Sequence, residues 1–107
     1  MPFILEKIDH IVLTVSDLST SILFYSNILN MPVIRFGKNN ERIALQAGQQ
    51  KINLHEYKRE FEPKALHPTV GAMDICFLTQ TPLEEVKLHL KKENILFAHR
   101  FSEVMMP

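Results

Sequence analysis

Four polar side chains stand out as chemistry, and strand alternation gathers them. Residues 8–15 read IDHIVLTV, residues 51–56 read KINLHE and residues 72–78 read AMDICFL. Successive residues of a strand face opposite sides. In the first segment Ile11, Leu13 and Val15 share one side, and His10, Val12 and Thr14 take the other. In the second, Ile52, Leu54 and Glu56 oppose Lys51, Asn53 and His55. In the third, Ile75 and Phe77 oppose Asp74, Cys76 and Leu78. The more apolar sides belong against helices. The other sides would then carry His10, His55, Asn53 and Asp74 towards a common interior. Two neutral imidazoles and a carboxylate suit a divalent transition metal such as Zn, Ni, Mn or Fe. A facial set of this kind leaves open positions for water or a substrate oxygen. The metal would act there as a Lewis acid, stabilising an enolate or polarising a bound oxygen. No HxH or HExxH spacing occurs, so the argument rests on facing alone.

The elements that must position these residues follow from the pattern. Residues 8–15 are rich in β-branched side chains and have strand length. Ser16 and Asp17 can cap the next element. Leu18, Ile22, Tyr25 and Leu29 recur at helical spacing and form one apolar stripe. Asn30 ends that helix and Pro32 prevents its extension. Three short strands follow over 31–36, 42–46 and 51–56, with turns at Gly37–Asn40 and Gly48-Gln49. The first unit, 8–56, is therefore βαβββ. Residues 57–71 contain Pro63 and Pro68, show no period and read as a linker. The pattern then restarts over 72–107. A strand spans 72–78, Thr81-Pro82 opens a helix striped by Leu83, Val86 and Leu90, Asn94 ends it, and residues 95–97 begin another strand. Cys76, in an apolar run, reads as buried and inert.

The restart is an internal repeat. A shift of 64 residues lays His10 on Asp74, Ile11 on Ile75, Ile22 on Val86 and Asn30 on Asn94. The second copy is about 13 residues short of the first, and the tail AHRFSEVMMP shows no sustained alternation. The expectation is a single α+β domain over 1–107, built of paired βαβββ modules, the second incomplete.

Composition bounds the function class. Of the 107 residues, twelve are basic and twelve acidic, giving net charge +0 and a sequence pI near 7.0. This leaves no electrostatic footprint for nucleic acid or an anionic membrane. No apolar run is long enough to span a bilayer. A single cysteine excludes an intramolecular disulfide and a cysteine-based zinc cage, and points to a reducing, cytoplasmic location.

The segments IDHIVLTVSDL, FYSNILNMPV, QKINLHE and EFEPKALHPTVGAMDICFLTQTPLEEV resemble the vicinal oxygen chelate superfamily, the glyoxalase, bleomycin-resistance and extradiol-dioxygenase group. The likeness runs from Lys7 to about Ile95 and is nearest to small glyoxalase-domain proteins of the kind labelled virulence proteins. It implies two βαβββ modules whose sheets cup a metal site. It implies His10 as the ligand from the first strand of module one. Asp74 stands where the family usually has His. The last strand of module one would supply His55, favoured by parity, or Glu56 if a bulge rotated it inward. Asn53 would line the substrate cavity. The family's fourth ligand, commonly Glu and often the catalytic base, would fall near position 119 or 120. The chain ends at Pro107.

Two functions follow as expectations. One is a metal-dependent lyase, isomerase or dioxygenase acting on a small molecule. The alternative is a non-catalytic, resistance-type module that binds a small ligand, or a truncated member without activity. Missing strands would leave an open sheet edge and favour a homodimer. Arg42 reads first as a surface ion-pair residue and second as a binder of a substrate anion. His67, before Pro68, reads as a turn residue. The methionines read as fillers, with Met105 and Met106 as tail contacts.

Overall fold

In the computed structural model, which describes residues 2–95, the chain divides into two compact units, Met1–Ala72 and Met73–Pro107. The first unit contains strand β1 (His10–Val15), helix α1 (Leu18–Leu23) running into a π-helical turn (Phe24–Ile28), and strands β2 (Val33–Phe36), β3 (Arg42–Ala47) and β4 (Gln50–Glu56). This is the βαβββ order read from the sequence. The sheet order is β1-β4-β3-β2, with β1 parallel to β4 and the other pairs antiparallel.

Local chemistry sets the limits of these elements. The Asp17 side chain accepts the Thr20 N–H at 3.0 Å and caps α1. The Glu56 carboxylate accepts the Leu18 N–H at 3.0 Å, so the end of β4 also holds the start of the helix. Both carboxylates lie at the positive end of the helix dipole. The expected helix to Leu29 changes pitch at Phe24, where the Leu29 N–H reaches back five residues to the Phe24 carbonyl at 3.2 Å. Asn30 then adopts φ 57 and stops it. Gly48, at φ 60, begins the two-residue turn that joins β3 to β4. β1 begins at His10 rather than Ile8, because the ladder to β4 starts with the His10–Lys51 pair.

The core of this unit is the sheet itself. Leu13, Val15, Ile43, Leu45, Ile52 and Leu54, all buried, share the side of Glu56 and hence of α1. Thr14, Asn53 and His55 on the opposite side are buried too. The segment expected as a plain linker accounts for part of that cover. Phe61 stacks edge-on against His55, with centroids 6.1 Å apart, and the Gly71 N–H bonds the Thr14 carbonyl at 3.0 Å. Residues up to Ala72 thus belong to the first unit.

The Glu56 tie carries a testable weight. About a quarter of its side chain meets solvent. Glu56→Ala should therefore cost about 1–2 kcal/mol, the scale of a charged hydrogen bond with some solvent screening. Urea melts of the two proteins measure this, and an unchanged midpoint would remove Glu56 as an anchor of α1.

In the second unit, helix α2 (Leu83–Lys92) follows Pro82, which serves as its N-cap residue. Glu84 and Glu85 lie in its first turn and His89, Lys91 and Lys92 in its last, matching the dipole. The Ile95 N–H bonds the Leu90 carbonyl at 2.8 Å and the Asn94 N–H bonds that of Lys91 at 3.0 Å, with Asn94 at φ 61. This is a Schellman closure. Asn30 and Asn94, which the 64-residue shift superimposes, both stop a helix in the left-handed conformation.

Two expectations fail here. Residues 72–78 form no ladder among the described residues, although Met73, Ile75 and Phe77 are half-buried in alternation with exposed neighbours. Alternation marks extended backbone, but a strand also needs a hydrogen-bonded neighbour. Cys76 is exposed rather than buried, because parity assigns a side without saying whether anything covers it. Of the expected strand at 95–97 only Ile95 is described, and the tail 98–107 with Met105 and Met106 lies outside the described residues. No helix among the described residues is long and apolar enough to cross a membrane.

Candidate functional site

The candidate site is the side of the sheet opposite α1. Parallel pairing of β1 with β4 puts His10 beside Lys51, Val12 beside Asn53 and Thr14 beside His55. Antiparallel pairing with β3 puts Ala44 beside Asn53, and Arg42 one step beyond the Ile43–Leu54 pair, next to His55. His10, Asn53, His55 and Arg42 therefore share one side of one sheet.

His55 is the centre of this surface. It is only 2% exposed, and its Nε2 is buried with no hydrogen-bond partner among the described residues. Burial, helped by the Arg42 guanidinium, pushes its pKa below the usual 6.5, against an opposing pull from the Glu60 carboxylate. The ring is thus neutral at pH 7, with one nitrogen able to donate and the other to accept. Asn53, two residues back on the same side, is also buried.

His10 stands apart. Its side chain is 48% exposed and its Nδ1 lies 2.9 Å from the Asp9 carboxylate. That hydrogen bond is the main reason the Asp9 pKa falls below its ordinary value. His10 and His55 are separated by four residue steps along neighbouring parallel strands, about 13 Å. Two imidazoles at that spacing do not meet on one ion. Glu56 faces the α1 side, engaged with Leu18. Asp74 is exposed in the second unit, on the parity expected for it. Among the described residues no three His, Cys, Asp or Glu side chains gather as a metal site. The described residues therefore do not by themselves fit the metal centre that the family resemblance implies. His67 is exposed in a turn, its carbonyl accepting the Thr69 hydroxyl at 3.1 Å.

Arg42 departs from its first reading. It makes no ion pair among the described residues. Its guanidinium carbon instead lies 5.2 Å from the centroid of the Phe36 ring and 5.1 Å from that of Phe61. Phe36 and Phe61 carried no signal in the sequence as site residues. The register that sets Phe36 opposite Arg42 and the return of the segment after β4 bring them together.

A βαβββ unit with a parallel β1–β4 pair and a polar, partly buried sheet side opposite its helix defines the class of fold. The chain belongs to the Glyoxalase/Bleomycin resistance protein/Dioxygenase superfamily, whose family model matches residues 7–101. It is 53% identical over 83 residues to virulence protein STM3117 of Salmonella typhimurium, covering 78% of this chain and 56% of that protein. It is 42% identical over 90 residues to the glyoxalase domain-containing protein RDO1 of Mycosarcoma maydis, covering 84% of this chain and 49% of that protein. The chain thus spans about half the length of the curated relatives it matches. Among solved structures, the STM3117 crystal structure superimposes with a TM-score of 0.85 at 45% identity, covering 92% of this chain and 76% of that one. The integron cassette protein VCH_CASS1 from the mobile metagenome of V. Cholerae gives 0.86 at 40%, covering 94% and 77%. The α+β fold class read from the sequence is that of its relatives.

Proposed function

We propose that this chain is the small-molecule-binding module of a glyoxalase-superfamily protein, taking its ligand on the sheet side that carries Asn53 and His55. One observation carries this reading, the buried Nε2 of His55 that has no hydrogen-bond partner among the described residues. A polar atom left so costs about 1–3 kcal/mol. A ligand that returns a hydrogen bond recovers that energy, and the neutral ring can meet either a donor or an acceptor. The test is imidazole ¹⁵N NMR during titration with a panel of small oxygen-bearing fragments. The reading expects a saturable shift at His55, with exposed His67 unmoved. A panel that shifts both histidines alike, or neither, would overturn it.

A second reading rests on the same atom. A neutral imidazole nitrogen is also a donor for a divalent metal such as Zn, Ni, Mn or Fe. Such an ion would supply the Lewis acidity used in lyase, isomerase or dioxygenase chemistry. Tag-free, chelator-stripped protein titrated with Zn²⁺, Ni²⁺, Mn²⁺ and Fe²⁺ separates the two readings. The binding-module reading expects no stoichiometric uptake and an unchanged melting temperature. Stoichiometric uptake that disappears in His55→Ala would replace it with the metal-dependent one.

A further inference from the structure

The geometry points to an oxyanion subsite at Arg42, so that the ligand of the His55 surface carries a carboxylate or phosphate group. This deepens the binding reading proposed above and rests on it. The argument begins with how Arg42 is held. Gly37 has φ 79, and a Cβ there would fall 2.9 Å from the Cγ and Cδ of Arg42. The arginine stem therefore occupies the space that a side chain at position 37 would take. Its guanidinium lies over the rings of Phe36 and Phe61 at 5.2 and 5.1 Å. Cation–π contacts of this kind orient the charge without using its N–H groups. No acceptor takes those N–H groups and no carboxylate pairs with them among the described residues. Glu60, the acidic group whose charge is felt at His55, has its own carboxylate engaged by the Lys58 N–H at 2.9 Å.

The result is a half-buried, sterically fixed arginine whose donors are free of partners among the described residues. Its neighbour across the strands, His55, holds a buried nitrogen that also lacks a partner among those residues. A guanidinium fork matches a carboxylate or phosphate in two parallel hydrogen bonds, which an ammonium does not. The two Phe rings add an apolar wall beside that fork, which favours an anion attached to a flat or aliphatic body over a bare ion. A surface ion pair would instead have spread Arg42 towards an acidic side chain.

The probes are benzoate, inorganic phosphate and neutral benzamide, followed by the Arg42 Nε–H and His55 ring signals in NMR. Benzoate is expected to shift both signals saturably, phosphate to act more weakly at the same place, and benzamide to leave Arg42 unmoved. Arg42→Met keeps the stem and the ring contacts but lacks the fork, and should weaken benzoate about tenfold or more. Arg42→Lys keeps the charge and should fall between the two; it also serves if Arg42→Met does not fold. Benzoate binding that is equal in wild type and Arg42→Lys, or that leaves the Arg42 signal unmoved, overturns the subsite. If benzamide shifts His55 while neither anion touches Arg42, the oxyanion inference fails and the binding reading survives. If none of the three shifts His55, this test removes both.

Discussion

Leu45→Ala should destabilise the first unit by about 2–5 kcal/mol, the range for deleting a fully buried leucine. Leu45 has 0% exposure and sits at the centre of the sheet, between Val33 of β2 and Ile52 of β4. Hydrogen-bonded strands flank the truncated position on both sides, so the backbone there cannot collapse far into the cavity. A small domain holds only about 5–15 kcal/mol in total. The variant should therefore unfold at a urea concentration lower by about 1–2 M, at the usual denaturant sensitivity of small proteins. Leu54→Ala, 2% exposed and one strand over, should behave alike. Losses below about 1 kcal/mol in both would mean that the α1 side of the sheet is not the packed core. Leu78→Ala is the control, since Leu78 is 95% exposed and should lose almost nothing.

His55→Leu should move stability the other way in the absence of ligand. The substitution puts an apolar body of similar size in place of a buried nitrogen that has no partner among the described residues. Removing both the polar group and its unmet hydrogen bond is expected to stabilise by about 1–3 kcal/mol, less whatever packing is lost. The same variant should lose the ligand response of the sheet side, which is the usual opposition between stability and function at a binding site. A pH signature accompanies it. The folded pKa of His55 lies below its ordinary 6.5, mainly through burial and then through Arg42, with Glu60 opposing. At higher pH both folded and unfolded forms are neutral there, and the group adds no pH dependence. As pH falls below 6.5 the unfolded chain takes the proton first, so wild type loses stability. His55→Leu should lack that acid loss. Equal acid sensitivity in the two proteins, together with lower stability of the variant at pH 7.5, would show that His55 already has its partner within the fold.

Much of the first unit was legible because its signals are local. Asp17 caps α1 as expected, since an aspartate accepts an N–H three residues on whatever surrounds it. Asn30 and Asn94 stop their helices because asparagine tolerates positive φ. Strand parity placed Asn53 and His55 on one side and Leu54 on the other. The break in pitch at Phe24 was not legible, because an apolar stripe at steps of 3 and 4 fits an α-helix as well as one that widens near its end. The exposure of Cys76 was missed for a related reason. A strand's own residues say which way they point, and only a neighbouring element decides whether that side is covered.

The candidate site divides along the same line. The amino-acid sequence by itself determined the βαβββ order, the family resemblance and the side on which His10, Asn53 and His55 stand, because period and turn chemistry act over a few residues. Tertiary structure alone decided how far apart they stand. The β1–β4 register leaves His10 four steps from His55, and a register is a property of two strands that neither strand carries alone. Tertiary structure also decided what surrounds Arg42. Phe61 lies nineteen residues along the chain from it, and only the antiparallel return of β4 and the fold-back of the segment after it bring that ring over the guanidinium.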